Sequence, residues 1–293
     1  MKLHYFADAP NFGDALNPWL WPQLLGDRLD GDDSRLFLGI GTILKAGLPE
    51  AAAYYVLGAG GGYGDFPALD ARWKIYAVRG PRTASALGLP PELAATDGAA
   101  LLRTVPLPDP QPGPAIGFMP HFRAMPQVPW RGLCRHLGLR YLDPLAPVPG
   151  TIAAIRGCDC LITEAMHGAI VADACRIPWI PVTTGAHVLD FKWRDWMESL
   201  ELDYPVHRLA SFSRATLHRP GDHSVLALAR RGLNAAVLGA NLLPFARQLR
   251  QLRRQLESRQ RQPALSREAV LTERTDRLLR QLDHLRADLD SGN

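Results

Sequence analysis

The chain has 293 residues, 47% of them hydrophobic and 21% charged, with a formal net charge of +4. That length accommodates two α/β domains with substantial cores, and the composition is that of a globular protein. The mild charge gives no argument for nucleic acid, no run approaches the roughly 20 apolar residues that span a bilayer, and Cys134, Cys158, Cys160 and Cys175 have the spacing of neither a disulfide framework nor a zinc or redox motif.

Met1–Phe6 is too short an apolar run for a signal peptide, and Asp8 follows it; with reduced cysteines this predicts a cytoplasmic protein. Lys2–Phe6 reads as a strand and Asp8–Asp14 as a loop. Ala15–Leu25 carries leucines at a four-residue interval but also Pro18 and Pro22, so a short helix is expected to begin near Pro18. Arg35–Ile40, Ala53–Leu57 and Lys74–Val78 read as strands, the second ending in the glycine turn Gly58–Gly64. Pro81–Leu87 opens a helix, and Ala94–Leu102 suggests a strand ending near Asp97. Thr104–Pro114 holds prolines at 106, 108, 110, 112 and 114, which excludes helix and central strand and marks a linker.

Strands are then expected at Ala115–Met119, Leu139–Leu142, Cys160–Ile162 and Trp179–Val182, with helices at Thr151–Arg156 and Gly168–Cys175. Strands alternating with helices imply parallel sheets. The expected architecture is α/β: two Rossmann-like domains, 1–110 and 115–222, facing a cleft, and a helical tail at 223–293. In that tail Ser224–Leu238 is alanine- and leucine-rich. Asn241–Gln262 sets Leu243, Leu249, Leu252 and Leu256 against six arginines and one acid, and a further amphipathic segment follows Pro263. Two readings fit the tail: leucines in an anionic membrane surface, or helices pairing on the body or a second copy.

Ligands of α/β proteins gather at the carboxyl ends of strands, where helix N-termini point outward. His167 stands at such a junction, and it can hold an anion or move a proton. Arg79 follows a strand and is expected on the cleft wall as an anion grip, the alternative being a capped surface loop. Arg82 lies one helical turn on. Asn11, Gly13 and Asp14 occupy the first strand–helix loop, where Asp14 either caps the helix or acts on a substrate hydroxyl. His121 follows the first strand of the second half much as His167 follows its own. His187, Lys192 and Trp193 are expected on the loop after Ile180–Val182, and Trp193 and Trp196 are core or a sugar platform. The cluster Gly58-Ala59-Gly60-Gly61-Gly62 suits close backbone approach to a ligand and reads as a glycine-lined acceptor or phosphate pocket, the alternative being a plain tight turn. It lacks the following helix of a dinucleotide fingerprint, and no P-loop is present. No metal-ligand spacing occurs.

Thr163-Glu164-Ala165-Met166-His167-Gly168-Ala169-Ile170 with Arg176–Val182 resembles the C-terminal signature of the polysaccharide pyruvyl transferase family. Asn11–Asn17, Gly58–Gly62, Val78–Thr83 and Phe191–Trp196 resemble further elements of that family in the same order, so the resemblance covers residues 1 to 200. It implies a two-domain glycosyltransferase-B-like fold and ketal formation on a bacterial exopolysaccharide sugar or its lipid-linked precursor, with phosphoenolpyruvate as donor substrate and no cofactor. His167 and Arg79, with Asp14, would carry the chemistry. Asn11, Gly13, Gly60, Gly61, Gly62, Arg82, His121, Met166, Gly168 and Lys192 would hold substrate. Ala165 stands where many relatives have an arginine, so any anion contact made there must be absent or come from another cation. Other readings are a nucleotide-sugar glycosyltransferase of the same architecture, for which Glu164 and Asp173 are the candidate ribose carboxylates, and a non-catalytic glycan binder.

Overall fold

A computed structural model describes residues 1–185, 189–204, 206–211 and 242–291. It is an α/β structure with two parallel sheets. In the first, β1 (Lys2–Leu3), β2 (Arg35–Leu38), β3 (Ala53–Leu57) and β4 (Trp73–Ala77) lie side by side in chain order. The second contains β5 (Ile116–Met119), β6 (Arg140–Tyr141), β7 (Cys160–Thr163), β8 (Trp179–Thr183) and β9 (His207–Arg208), in the order β6-β5-β7-β8-β9. Every named pairing is parallel. Strand order reverses direction at β5, between β6 and β7. Loops leaving the carboxyl ends on either side of such a point diverge and leave a crevice.

The helices are α1 (Phe12–Leu25), α2 (Pro81–Ala86), α3 (Trp130–Leu137), α4 (Val148–Arg156), α5 (Met166–Ala174), α6 (Asp190–Ser199), α7 (242–257) and α8 (Glu268–Asp290). α1 begins well before Pro18. Asn11 caps it, its side chain accepting from the Asp14 amide at 2.9 Å, so Asp14 is the capped residue and not the cap. Pro18 leaves the Asp14 carbonyl without its helical donor, and Asn17 Nδ2 donates to it at 3.2 Å. The same buried side chain exchanges hydrogen bonds with the Ile40 backbone at 3.0 Å and accepts from Trp21 Nε1, which ties α1 to the end of β2. A local side-chain donor thus lets the helix run through a residue that usually ends one.

The strand expected to end near Asp97 is reduced to one bridge, Val78 with Ala94, followed by a 3-10 turn over Gly98–Thr104. Thr104–Pro114 is largely extended and bonded to the second half, Gln111 N donating to Ala153 O at 2.8 Å. Lys192 and Trp193 lie on α6 rather than in a loop. Trp193 and Trp196 are buried beside Trp179, which makes them core and not a sugar platform.

The C-terminal helices also pack on the body. Phe245, Leu249 and Leu252 of α7 are buried with Phe118 and Trp130 of the second half. Leu271, Leu278, Leu282 and Leu285 of α8 close the core beneath the first sheet, where Tyr76 donates to Asp288 at 2.5 Å. These leucines face neither acyl chains nor a second copy, because the cores already occupy them; Leu243 alone of the α7 stripe is well exposed, at 60%. The helix expected at Ser224–Leu238, and His187, lie outside the described residues. Among those described, no helix is long and apolar enough to cross a membrane.

Candidate active site

A cavity of about 500 Å³ opens at the carboxyl ends of strands from both sheets. Asn11 at the end of the β1–α1 loop reaches it, and Gly13 and Asp14, expected in that loop, reach it from the first turn of α1. His121 arrives after β5, Ala165, Met166 and His167 after β7, and Lys192 from α6. Seven residues expected in the site therefore converge: Asn11, Gly13, Asp14, His121, Met166, His167 and Lys192.

Local hydrogen bonds set the His167 turn. Thr163 Oγ1 accepts from the Ala165 amide at 2.9 Å and closes the bend after β7. Glu164 points away from the cavity and is fully buried. Its Oε1 accepts from the Thr184 amide at 2.8 Å and hydroxyl at 2.7 Å, and its Oε2 from the His121 amide at 3.3 Å. One carboxylate so fixes the ends of β5, β7 and β8 relative to each other. Asp173 is also buried and committed, accepting from Trp179 Nε1 and the Ser266 amide. Neither carboxylate lines the cavity, so neither is placed to hold a ribose there.

His167 is 14% exposed and lies against Gly13, where an added Cβ would come within 2.1 Å of Nδ1. Its Nε2 is closed off from solvent 3.7 Å from Asp97 Oδ2, and neither atom has a hydrogen-bond partner. Gly168 is turned inward on Met119 and Thr163, outside the cavity lining.

Asp14 is held at 2.5 Å by Asn11 Nδ2. Burial raises its pKa above the usual carboxylate range, which favours proton acceptance; the Asn11 hydrogen bond and the charges of His167 and Lys192 oppose the shift. Lys192 is almost wholly buried. Desolvation first, then the charge of Arg79, lowers it to about 8, while Asp14 pulls the other way. It donates to Tyr63 Oη at 3.3 Å. An ammonium so poorly solvated is ready to accept an anionic ligand as replacement for water.

Arg79 is not on the cleft wall. It is 0% exposed, donating from Nε to Asp195 Oδ2, from Nη1 to Thr42 Oγ1 and from Nη2 to the Gly61 carbonyl, each at 2.9 Å. Asp195 also accepts from the Thr83 amide and hydroxyl. The guanidinium is a strut joining β4, the glycine turn and α6. Gly60 gives it room, since a Cβ there would lie 2.3 Å from its Cζ, and Gly80 lets α6 approach. Gly61 and Gly62 pack on Phe66 and Phe191. Gly60–Gly62 thus serve packing rather than an acceptor pocket, and coil rather than a helix follows them. Arg82 is also away from the cavity, paired with Glu198 at the surface.

Sequence reasoning did not single out Asp97, Lys45, Tyr63 or Arg123 for this site. The last three line the cavity, and Asp97 backs His167. Asp97 carried one signal, its place at the expected end of a strand. Among the described residues no three His, Cys, Asp or Glu side chains gather to hold a metal.

The family model for polysaccharide pyruvyl transferase matches residues 122–185, which include the whole β7–α5 turn. Over nearly its full length the chain is similar to a succinoglycan biosynthesis protein, ExoV, of Rhizobium meliloti (strain 1021), with 34% identity covering 98% of this chain and 99% of that protein. Motif order, site position and full-length similarity agree: the chain belongs to the polysaccharide pyruvyl transferase family.

Proposed function

We propose that this pyruvyl transferase acts in exopolysaccharide synthesis, taking the enolpyruvyl unit of phosphoenolpyruvate and closing it as a ketal on two hydroxyls of one sugar. The observation that carries this is the convergence of His167, Asp14 and Lys192 on one cavity large enough for a small donor and a sugar. The reaction protonates C3 of the enol. One sugar oxygen adds to the cationic C2, and the second displaces phosphate there. One hydroxyl proton balances the proton given to C3, and the other leaves with phosphate or solvent.

His167 gives the proton to C3 and takes one from the attacking hydroxyl. Asp14 assists by accepting from a hydroxyl, as its raised pKa favours. Lys192, Arg123 and the uncapped first amides of α5 oppose the donor's phosphate and carboxylate. These groups supply the positive charge that an arginine at position 165 would give. The two sheets, one on each side of the cavity, fit the glycosyltransferase-B-like cleft that the resemblance implies.

A lipid-linked acceptor would place the protein at the cytoplasmic face of a membrane. With the leucines of α7 buried, attraction rests on its outward arginines, Arg247 and Arg254, at about 1 kcal/mol each near an anionic surface. Incubation with phosphoenolpyruvate and acceptor tests the activity: phosphate release that depends on acceptor supports it. Nucleotide release from a nucleotide sugar, or glycan binding without turnover of either donor, would replace it.

A further inference from the structure

Asp97 caps the 3-10 turn Gly98–Thr104 with one oxygen only, Oδ1, which accepts from the Ala99 amide at 3.0 Å. Its other oxygen, Oδ2, is buried without a hydrogen-bond partner and directed at His167 Nε2, which is equally buried and without one. A buried donor or acceptor left without a partner keeps its full desolvation penalty, and native structures keep few of them. The 3.7 Å gap is longer than a hydrogen bond, and a shift of under about 1 Å closes it. The opposite edge of the ring meets Gly13 and the cavity.

We infer that Asp97 is a positioning residue that fixes His167 with its Nε2 proton toward the carboxylate and leaves Nδ1 as the atom that exchanges protons with substrate. While Nδ1 holds the proton that it gives to C3, the imidazolium is held against the Asp97 carboxylate. Once C3 has taken it, the neutral ring keeps Nε2–H, and Nδ1 then accepts a proton from the attacking sugar hydroxyl. No net charge accumulates over the two transfers, and Asp97 itself need not be protonated. Asp14 on α1 also acts electrostatically on His167, and both Asp14 and Lys192 of α6 line the cavity, which Asp97 does not.

The role of His167 as proton carrier rests on the proposed reaction; the tautomer does not, so the two are tested separately. In substrate-free protein, 15N NMR of His167 in its neutral form is expected to show a protonated Nε2 and a bare Nδ1. Asp97→Asn keeps the size and the Ala99 cap, and is expected to shift His167 away from that tautomer. It should lower kcat by about 100-fold or more, with KM for phosphoenolpyruvate changed little, and alter the pH profile of kcat. In a His167→Gln background the same change should cost almost nothing further. A bare Nε2 in the wild type, or an Asp97→Asn loss that is equally large without His167, overturns the inference. If wild-type protein shows the Nε2–H tautomer but releases no phosphate from phosphoenolpyruvate, the reaction is wrong and the pair stands.

Discussion

Arg79→Ala is expected to act first on stability. The guanidinium and the Asp195 carboxylate are both 0% exposed, and the substitution leaves that carboxylate buried with only Thr83 as partner. It also removes the donors to Thr42 and the Gly61 carbonyl. Breaking a buried ion pair from one side costs about 3–5 kcal/mol, a large share of a typical 5–15 kcal/mol. At roughly 2–4 °C per kcal/mol for a chain of this size class, the melting temperature should fall by roughly 6–20 °C. Asp195→Ala should cost a similar amount, and the double variant should cost clearly less than the sum. Thermal and urea unfolding of the three proteins measure this. An Arg79→Ala protein that melts with the wild type but no longer binds donor would refute the strut and return Arg79 to the cavity wall.

His167→Ala should reduce turnover on the order of 100-fold or more while melting within a few degrees of wild type, because its ring borders a cavity; near-normal turnover removes it from the chemistry. Gly13→Ala should cut activity almost as far, since the new Cβ cannot share space with His167 Nδ1 2.1 Å away, and full activity would show that the ring does not rest there when it works. Lys192 lowered to about 8 is charged below that pH and neutral above it. If its ammonium holds the donor, kcat/KM should fall as pH rises through about 8, and Lys192→Met should abolish that limb along with most donor affinity. A flat profile from pH 7 to 10 contradicts the role. Charge reversal of Arg247 and Arg254 together should weaken sedimentation with anionic vesicles at low salt, and unchanged binding removes α7 from any membrane contact.

The α/β class and most strand positions were legible because short apolar runs ended by glycine, proline or polar turns have few other uses. The His167 turn was legible for the same reason: it lies where a buried strand gives way to a helix of small residues. Arg79 was misplaced because its position after β4 is the same whether it faces a ligand or a carboxylate 116 residues away, and only tertiary structure brings Asp195 to it. The α7 leucines were ambiguous in the same way, as one stripe serves a lipid surface or a core equally well. The early start of α1 was hidden by Pro18, since the rule against interior proline assumes that no side chain replaces the lost donor, and Asn17 does. Asp97 could not be read as a partner of His167 from a spacing of seventy residues.

The central claim is that this cavity moves a pyruvyl group onto a sugar. The direct measurement is mass analysis of a lipid-linked exopolysaccharide oligosaccharide after incubation with phosphoenolpyruvate and either wild-type or His167→Ala protein. The account predicts that wild type adds the mass of one pyruvate less one water, with one phosphate released per ketal formed, and that the variant adds almost none. An acceptor mass unchanged by the wild type across candidate acceptors, or a gain that His167→Ala produces equally well, would contradict it.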